Sequence, residues 1–172
     1  MPTDHPRAAL VPFENLAGRE DQGALFSKVF FAQLVASRAF EMVEPGRVEE
    51  ALDSLGIRPG GSLTPAQIQA LGAAVHAPWV LLGSVLESGR IQSGGVDLPA
   101  VGATLRLVEA DSGRVAWAGV HFRSGEDHET LFGWGRVTSP ERLVSLLAED
   151  LLADFRDAGA GRGRHTRKEG SR

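Results

Sequence analysis

The sequence predicts an α/β domain: a mixed sheet of about five strands, in the order β-α-β-α-α-β-β-β-α, with helices packed on it. Three observations carry that prediction. Short apolar runs, at Ala8-Ala9-Leu10-Val11 and across residues 79–86, are separated by stretches whose apolar residues recur at helical spacing. Two strand-like segments, residues 101–108 and 115–122, are joined by Ala110-Asp111-Ser112-Gly113, a loop suited to a type I turn followed by a left-handed Gly. Thr64-Pro65-Ala66-Gln67 carries the signature of a capping box with Pro at the first helical position. With 172 residues and 42% hydrophobic content, the chain is long and apolar enough for one core. We expect a single domain over residues 7–157 and a disordered basic tail over 158–172.

The elements follow in order. Residues 8–11 form a first strand, apolar enough to be buried on both faces and ended by Pro12. Residues 14–18 are expected to be a loop. Residues 24–37 form a helix with a stripe of Leu25, Val29, Ala32 and Ala36, broadened by Phe26, Phe30 and Leu34. Phe31 falls off that stripe and either packs against a neighbouring element or contacts a partner. Residues 40–43 make a short second strand, and residues 47–55 a short helix with Val48, Ala51, Leu52 and Leu55 inward. The capped helix buries Ile68, Leu71 and Val75 and stops at Pro78. Residues 79–86 form a central strand, and residues 88–99 a polar connection turning at Gly94-Gly95. In the next strand Val101, Ala103, Leu105 and Leu107 share one face, Thr104 and Arg106 the other. In the last strand Val115 and Trp117 share one face, and Ala116, Ala118, Val120 and Phe122 the other. Ser139-Pro140-Glu141 starts a final helix striped by Leu143, Leu146, Leu147, Leu151 and Phe155.

Charge is unevenly spread. From Arg156 onward six basic residues face two acidic ones, a net +4 that leaves −8 on the rest of a chain whose formal total is −4. An acidic body argues against nucleic acid, whose phosphates require clustered Lys and Arg. The basic tail reads as a solubilising terminus or as a contact for an anionic surface. There is no cysteine, which excludes disulfides, thiolate catalysis and zinc–thiolate sites. No signal peptide, lipobox Cys or membrane-length apolar run is visible, so an exported form would need a signal from outside this sequence.

Known chemistries fail in turn. The loop after the first strand has one Gly, no Lys-Ser/Thr pair and three acids, which speaks against a nucleotide. Glu126, Asp127, His128 and Glu129 are consecutive, and neighbouring side chains do not converge on one metal ion. His76 sits at a helix end and needs no function. Ser84 follows Gly83 without the rest of a nucleophile elbow. The enzyme reading that remains is a hydrolase using His121 or His128 with Glu126 or Glu129. It requires these groups to converge in a pocket. Residues 88–99 and 123–137 are too short and polar for a membrane-spanning hairpin. We therefore expect no catalytic residue, cofactor or metal.

Several segments resemble one family. Ala9-Leu10-Val11-Pro12-Phe13-Glu14-Asn15-Leu16 is similar to a V-x-P-F-x-N opening. Residues 40–44 resemble a second strand of the form F-x-V-V-E. Residues 70–85, ending in Val80-Leu81-Leu82-Gly83-Ser84-Val85, resemble A-x-x-L-G-x-x-L-G-A-D-Y-V-L-x-G-S-V. Residues 105–117 resemble L-R-L-V-D-x-x-T-G-x-V-L-W. The proteins that share these patterns are the TolB amino-terminal domain, LpoB-like lipoprotein activators of penicillin-binding proteins, and CsgG with its relatives. The resemblance implies a TolB amino-terminal-domain-like fold and protein–protein interaction in the periplasm or at the outer membrane. The implied partner is an envelope protein, either a peptidoglycan synthase or an outer-membrane assembly. An oligomeric component related to CsgG, without its pore hairpins, is the alternative. Aromatic side chains at Phe31, Phe132 and Trp134 are the candidate partner contacts, because exposed rings are common binding anchors.

Overall fold

The computed structural model describes residues 5–17, 22–59, 63–93, 95–125 and 139–165. Among them are six strands and four helices: β1 (Arg7–Leu10), β2 (Glu14–Asn15), α1 (Gln22–Ser37), β3 (Glu41–Met42), α2 (Pro45–Ser54), α3 (Pro65–Val75), β4 (Trp79–Ser93), β5 (Val96–Glu109), β6 (Val115–Ser124) and α4 (Pro140–His165). The sheet runs β3-β1-β4-β5-β6, with β2 also on β4. β1 is parallel to both β3 and β4, and β4, β5 and β6 form an antiparallel meander. This is the mixed sheet the sequence predicts.

The sheet has a helical layer on each face. Ala8, Leu10, Leu81, Ala103, Leu105 and Leu107 point into a core closed by α1 and α4. Ala9, Val11, Val80 and Leu82 point the other way, into a core closed by α2 and α3. Alternate residues of β1 and β4 thus serve different cores, which is why both strands read as continuous apolar runs. The capping box is formed: Gln67 N–H donates to Thr64 Oγ1 at 3.3 Å, and Thr64 N–H to Gln67 Oε1 at 2.9 Å. His76 ends α3 with φ 54°.

Four expectations need correction. The first is the loop at residues 14–18. Glu14 and Asn15 rejoin β4 opposite Ser84 and Val85. β1 and β2 are two pieces of one strand, interrupted at Pro12, which has no N–H to donate. The second concerns residues 88–99, which are mostly paired: β4 and β5 continue as one hairpin to Ser93 and Val96, with Gly95 at φ 79° beside the turn. A strand built of polar residues carries no apolar signal, so its pairing is invisible in the sequence. The length argument against a membrane hairpin falls with it, while the polar content of Glu87, Ser88, Arg90, Gln92 and Ser93 stands.

Third, α1 is rotated from its expected stripe. Phe26, Phe30 and Leu34 are fully buried, whereas Ala32 and Ala36 are exposed. The larger apolar area of the rings decides which side faces in. Fourth, the register of β6 shifts opposite Leu107 and Val108, a bulge that turns Ala116 into the α4-side core, away from Ala118, Val120 and Phe122. In addition, α4 runs on past residue 158 to His165, into the stretch expected to be disordered. A helix propagates through its own backbone hydrogen bonds and so can outrun the last residue of its apolar stripe.

Candidate functional site

The two helical layers do not cover the sheet equally. α2 and α3 lie over β1 and the start of β4. Beyond Leu82 the same face of β4, β5 and β6 has no helix among the described residues. Register gives this face a regular layout. Arg106 lies between Leu82 and Ala118, Thr104 between Ser84 and Val120, and Gly102 beside Phe122. Val120 is 53% exposed and Phe122 59%. A methyl group on Gly102 would collide with the Phe122 ring, so the ring lies against the strand backbone. The face is apolar at its β6 side and polar at its middle.

A cleft of about 440 Å³ runs across this face from the Val11–Glu14 stretch to Val120, with Thr104 and Arg106 in its lining. Ser84 Oγ donates to Glu14 Oε2 at 3.3 Å within it. Arg106 is exposed, and among the described residues its guanidinium has no partner. The other arginines of the β5–β6 hairpin are engaged: Arg114 reaches Glu109 at 3.4 Å, and Arg123 Nε meets Asp150 Oδ2 at 2.5 Å.

A second cavity of about 300 Å³ lies between α1 and α2, its apolar wall including Phe31 and Pro45 and its polar positions held by Ser27, Lys28 and Glu49. Phe31 is half-buried, packs on the α1–α4 core and forms part of this wall. Phe132 and Trp134 lie outside the described residues, as do Glu126, His128 and Glu129.

His121 is on the opposite side of the sheet from the cleft. Its Nε2 is 2.6 Å from Asp154 Oδ2 on α4. Arg123–Asp150 repeats this β6–α4 link one turn earlier on the helix, and Gln33 Nε2 donates to Ser145 Oγ at 3.1 Å between α1 and α4. Trp117 stacks edge-on against Phe155, which meets Phe40. His121 therefore belongs to a series of contacts that fastens α4. No group of three or more His, Asp or Glu that could hold a metal occurs among the described residues. At the β5–β6 turn the Ser112 hydroxyl, with desolvation opposing and Arg114 assisting, holds the Glu109 carboxyl below its usual range.

The functional reading of the sequence misses this face. It places Thr104 and Arg106 on the polar side of one strand, and Val120 and Phe122 on one side of the next. The register that makes them neighbours is a tertiary fact. The available signal is an Arg and a Thr alternating inside an otherwise apolar strand.

The fold defines a class: a mixed α/β domain of the kind found in the LpoB C-terminal domain and in lipoprotein GNA1162. No family model and no curated protein sequence matches the chain. Solved structures do. Lipoprotein GNA1162 from Neisseria meningitidis superposes with a TM-score of 0.62 at 20% identity, covering 88% of this chain and 99% of that one. A PelC dodecamer from Paraburkholderia phytofirmans gives 0.59 at 21% identity over 86% and 87%. The LpoB C-terminal domain from Escherichia coli gives 0.51 at 21% identity over 69% and 82%. At these identities the likeness is one of fold.

Proposed function

We propose that this chain is a non-catalytic protein-interaction module of the bacterial cell envelope, periplasmic or associated with the outer membrane. Its partner is an envelope protein, a peptidoglycan synthase or an outer-membrane assembly. The observation that carries the reading is the open β4–β5–β6 face, where Val120 and Phe122 stand exposed on a continuous sheet. Large exposed apolar groups set together on one face are typical of binding surfaces. The fold shared with LpoB and GNA1162 supports the envelope setting. The relation to TolB and CsgG rests on the sequence motifs. Phe31, at the second cavity, is a further proposed contact. His121 is paired with Asp154 on α4, on the opposite side of the sheet from the proposed face.

Affinity capture from solubilised envelopes tests this. A captured envelope protein should be lost when Val120→Glu and Phe122→Glu are combined, and kept with Glu50→Lys on α2. Equal capture by both variants would contradict it. A second reading, an oligomeric component, is favoured by the dodecameric state of PelC. Sedimentation separates the two: a monomer at micromolar concentration counts against the oligomer.

A further inference from the structure

The open face has a charge pattern that specifies its occupant more narrowly than "a protein". Arg106 projects from the middle of the meander as an exposed cation, while both other arginines of the β5–β6 hairpin are already bound to carboxylates. It is flanked by Leu82 and Ala118, neither of which offers a side-chain acceptor. The cleft's own acid, Glu14, lies on β2, at the edge of β4 away from β5, and accepts from Ser84. A guanidinium in such surroundings favours a carboxylate, which it can hold through two parallel hydrogen bonds.

Phosphate is the poorer fit. A single Arg with Glu14 lining the same cleft, on a body of net −8, does not supply the clustered cations that nucleic acid or an anionic membrane needs. A small carboxylic acid would fill the cleft at Arg106 and leave Phe122, which is 59% exposed and outside the cleft's lining, uncovered. Phe122 pairs with Gly102, four positions along β5 from Arg106, or roughly 13 Å at the usual strand rise. An occupant touching both spans that distance. Thr104 and Ser84 lie between them and suit a polar peptide backbone.

We infer that the open face docks an extended segment of a partner protein, in which an Asp or Glu held by Arg106 lies four positions from a large apolar side chain resting on Val120 and Phe122. This rests on the protein-interaction reading above and adds the chemistry of the partner.

The test uses the full chain, immobilised, and a random twelve-residue peptide library displayed on phage. Selected peptides should be enriched in Asp or Glu four positions from Phe, Leu, Ile or Trp. A synthetic selected peptide, followed by fluorescence anisotropy, should bind Arg106→Gln at least tenfold more weakly. Changing its acid to the amide should cost the wild type as much, and Arg106→Gln little. Phe122→Ser should also weaken it, and circular dichroism should show both variants folded. Selection of peptides without an acid, no selection at all, or binding unchanged in Arg106→Gln would overturn the inference. So would a self-association abolished by Phe122→Ser, which would make a second copy the occupant. If envelope capture depends on Val120 and Phe122 but not on Arg106, the docking face stands and only the carboxylate reading falls.

Discussion

Phe13 occupies a space left by a missing side chain. Its ring sits where a Cβ on Gly83 would be, and it touches Phe26 and Phe30 at centroid distances of 4.7 and 5.5 Å. Its backbone is held too, Phe13 N–H donating to Ser27 Oγ at 2.7 Å. Gly83→Ala should therefore overpack this cluster and cost about 1–3 kcal/mol, read as a lower urea midpoint with unchanged slope. Gly83 is legible in the sequence as a tight strand position, because a Gly inside an apolar β run signals close approach. Phe13 as the group that approaches is not, since it lies in a stretch without periodicity. Glu109 gives the residue scale a pH dependence. Its folded carboxyl is held below the usual range by Ser112 and then Arg114, so its contribution is present above the unfolded value of about 4.3 and is lost as pH falls through the lower folded one. Glu109→Gln should flatten the acid limb of thermal stability between about pH 5 and pH 3, measured by scanning fluorimetry at about half-unit steps.

At the scale of elements, local signals and long-range ones have different fates. The start of α3 is readable because Thr64, Pro65 and Gln67 act on each other's backbone within one turn. Thr64→Ala should cost about 1 kcal/mol, seen as a lower denaturation midpoint, with Gln67→Ala smaller. The outer half of the β4–β5 hairpin is not readable, because its pairing is a backbone property and its sequence is mostly polar. The bulge opposite Leu107 and Val108 is similar: one extra residue at Ala116 reverses which side chains face α4, and no composition rule announces it. The candidate site suffers most, because it is made of residues from three strands. Each is correctly faced within its own strand, apart from the bulge, but the sum needs the register. Phe31 is legible only as an anomaly, and it lines a cavity while also touching the core.

For the whole molecule, the governing fact is unequal coverage. Among the described residues, α1 and α4 close one face of the sheet, and α2 and α3 close the other only over β1 and the near part of β4. The core is complete without the remaining strip, since Leu105, Leu107, Leu143, Leu147 and Leu151 are buried on the closed side. Val120 can therefore be changed at little cost to folding: Val120→Lys should shift stability by no more than about 0.5 kcal/mol while removing partner binding. Binding lost with stability unchanged would mark this strip as the proposed docking surface. Photo-cross-linking in cells tests it most directly, with benzoylphenylalanine placed either at Val120 or at Val35, an equally exposed apolar position on α1. A docking face at β4–β5–β6 predicts a discrete adduct with an envelope protein from position 120 and none from position 35. No adduct from position 120, or the same adduct from both, would contradict it.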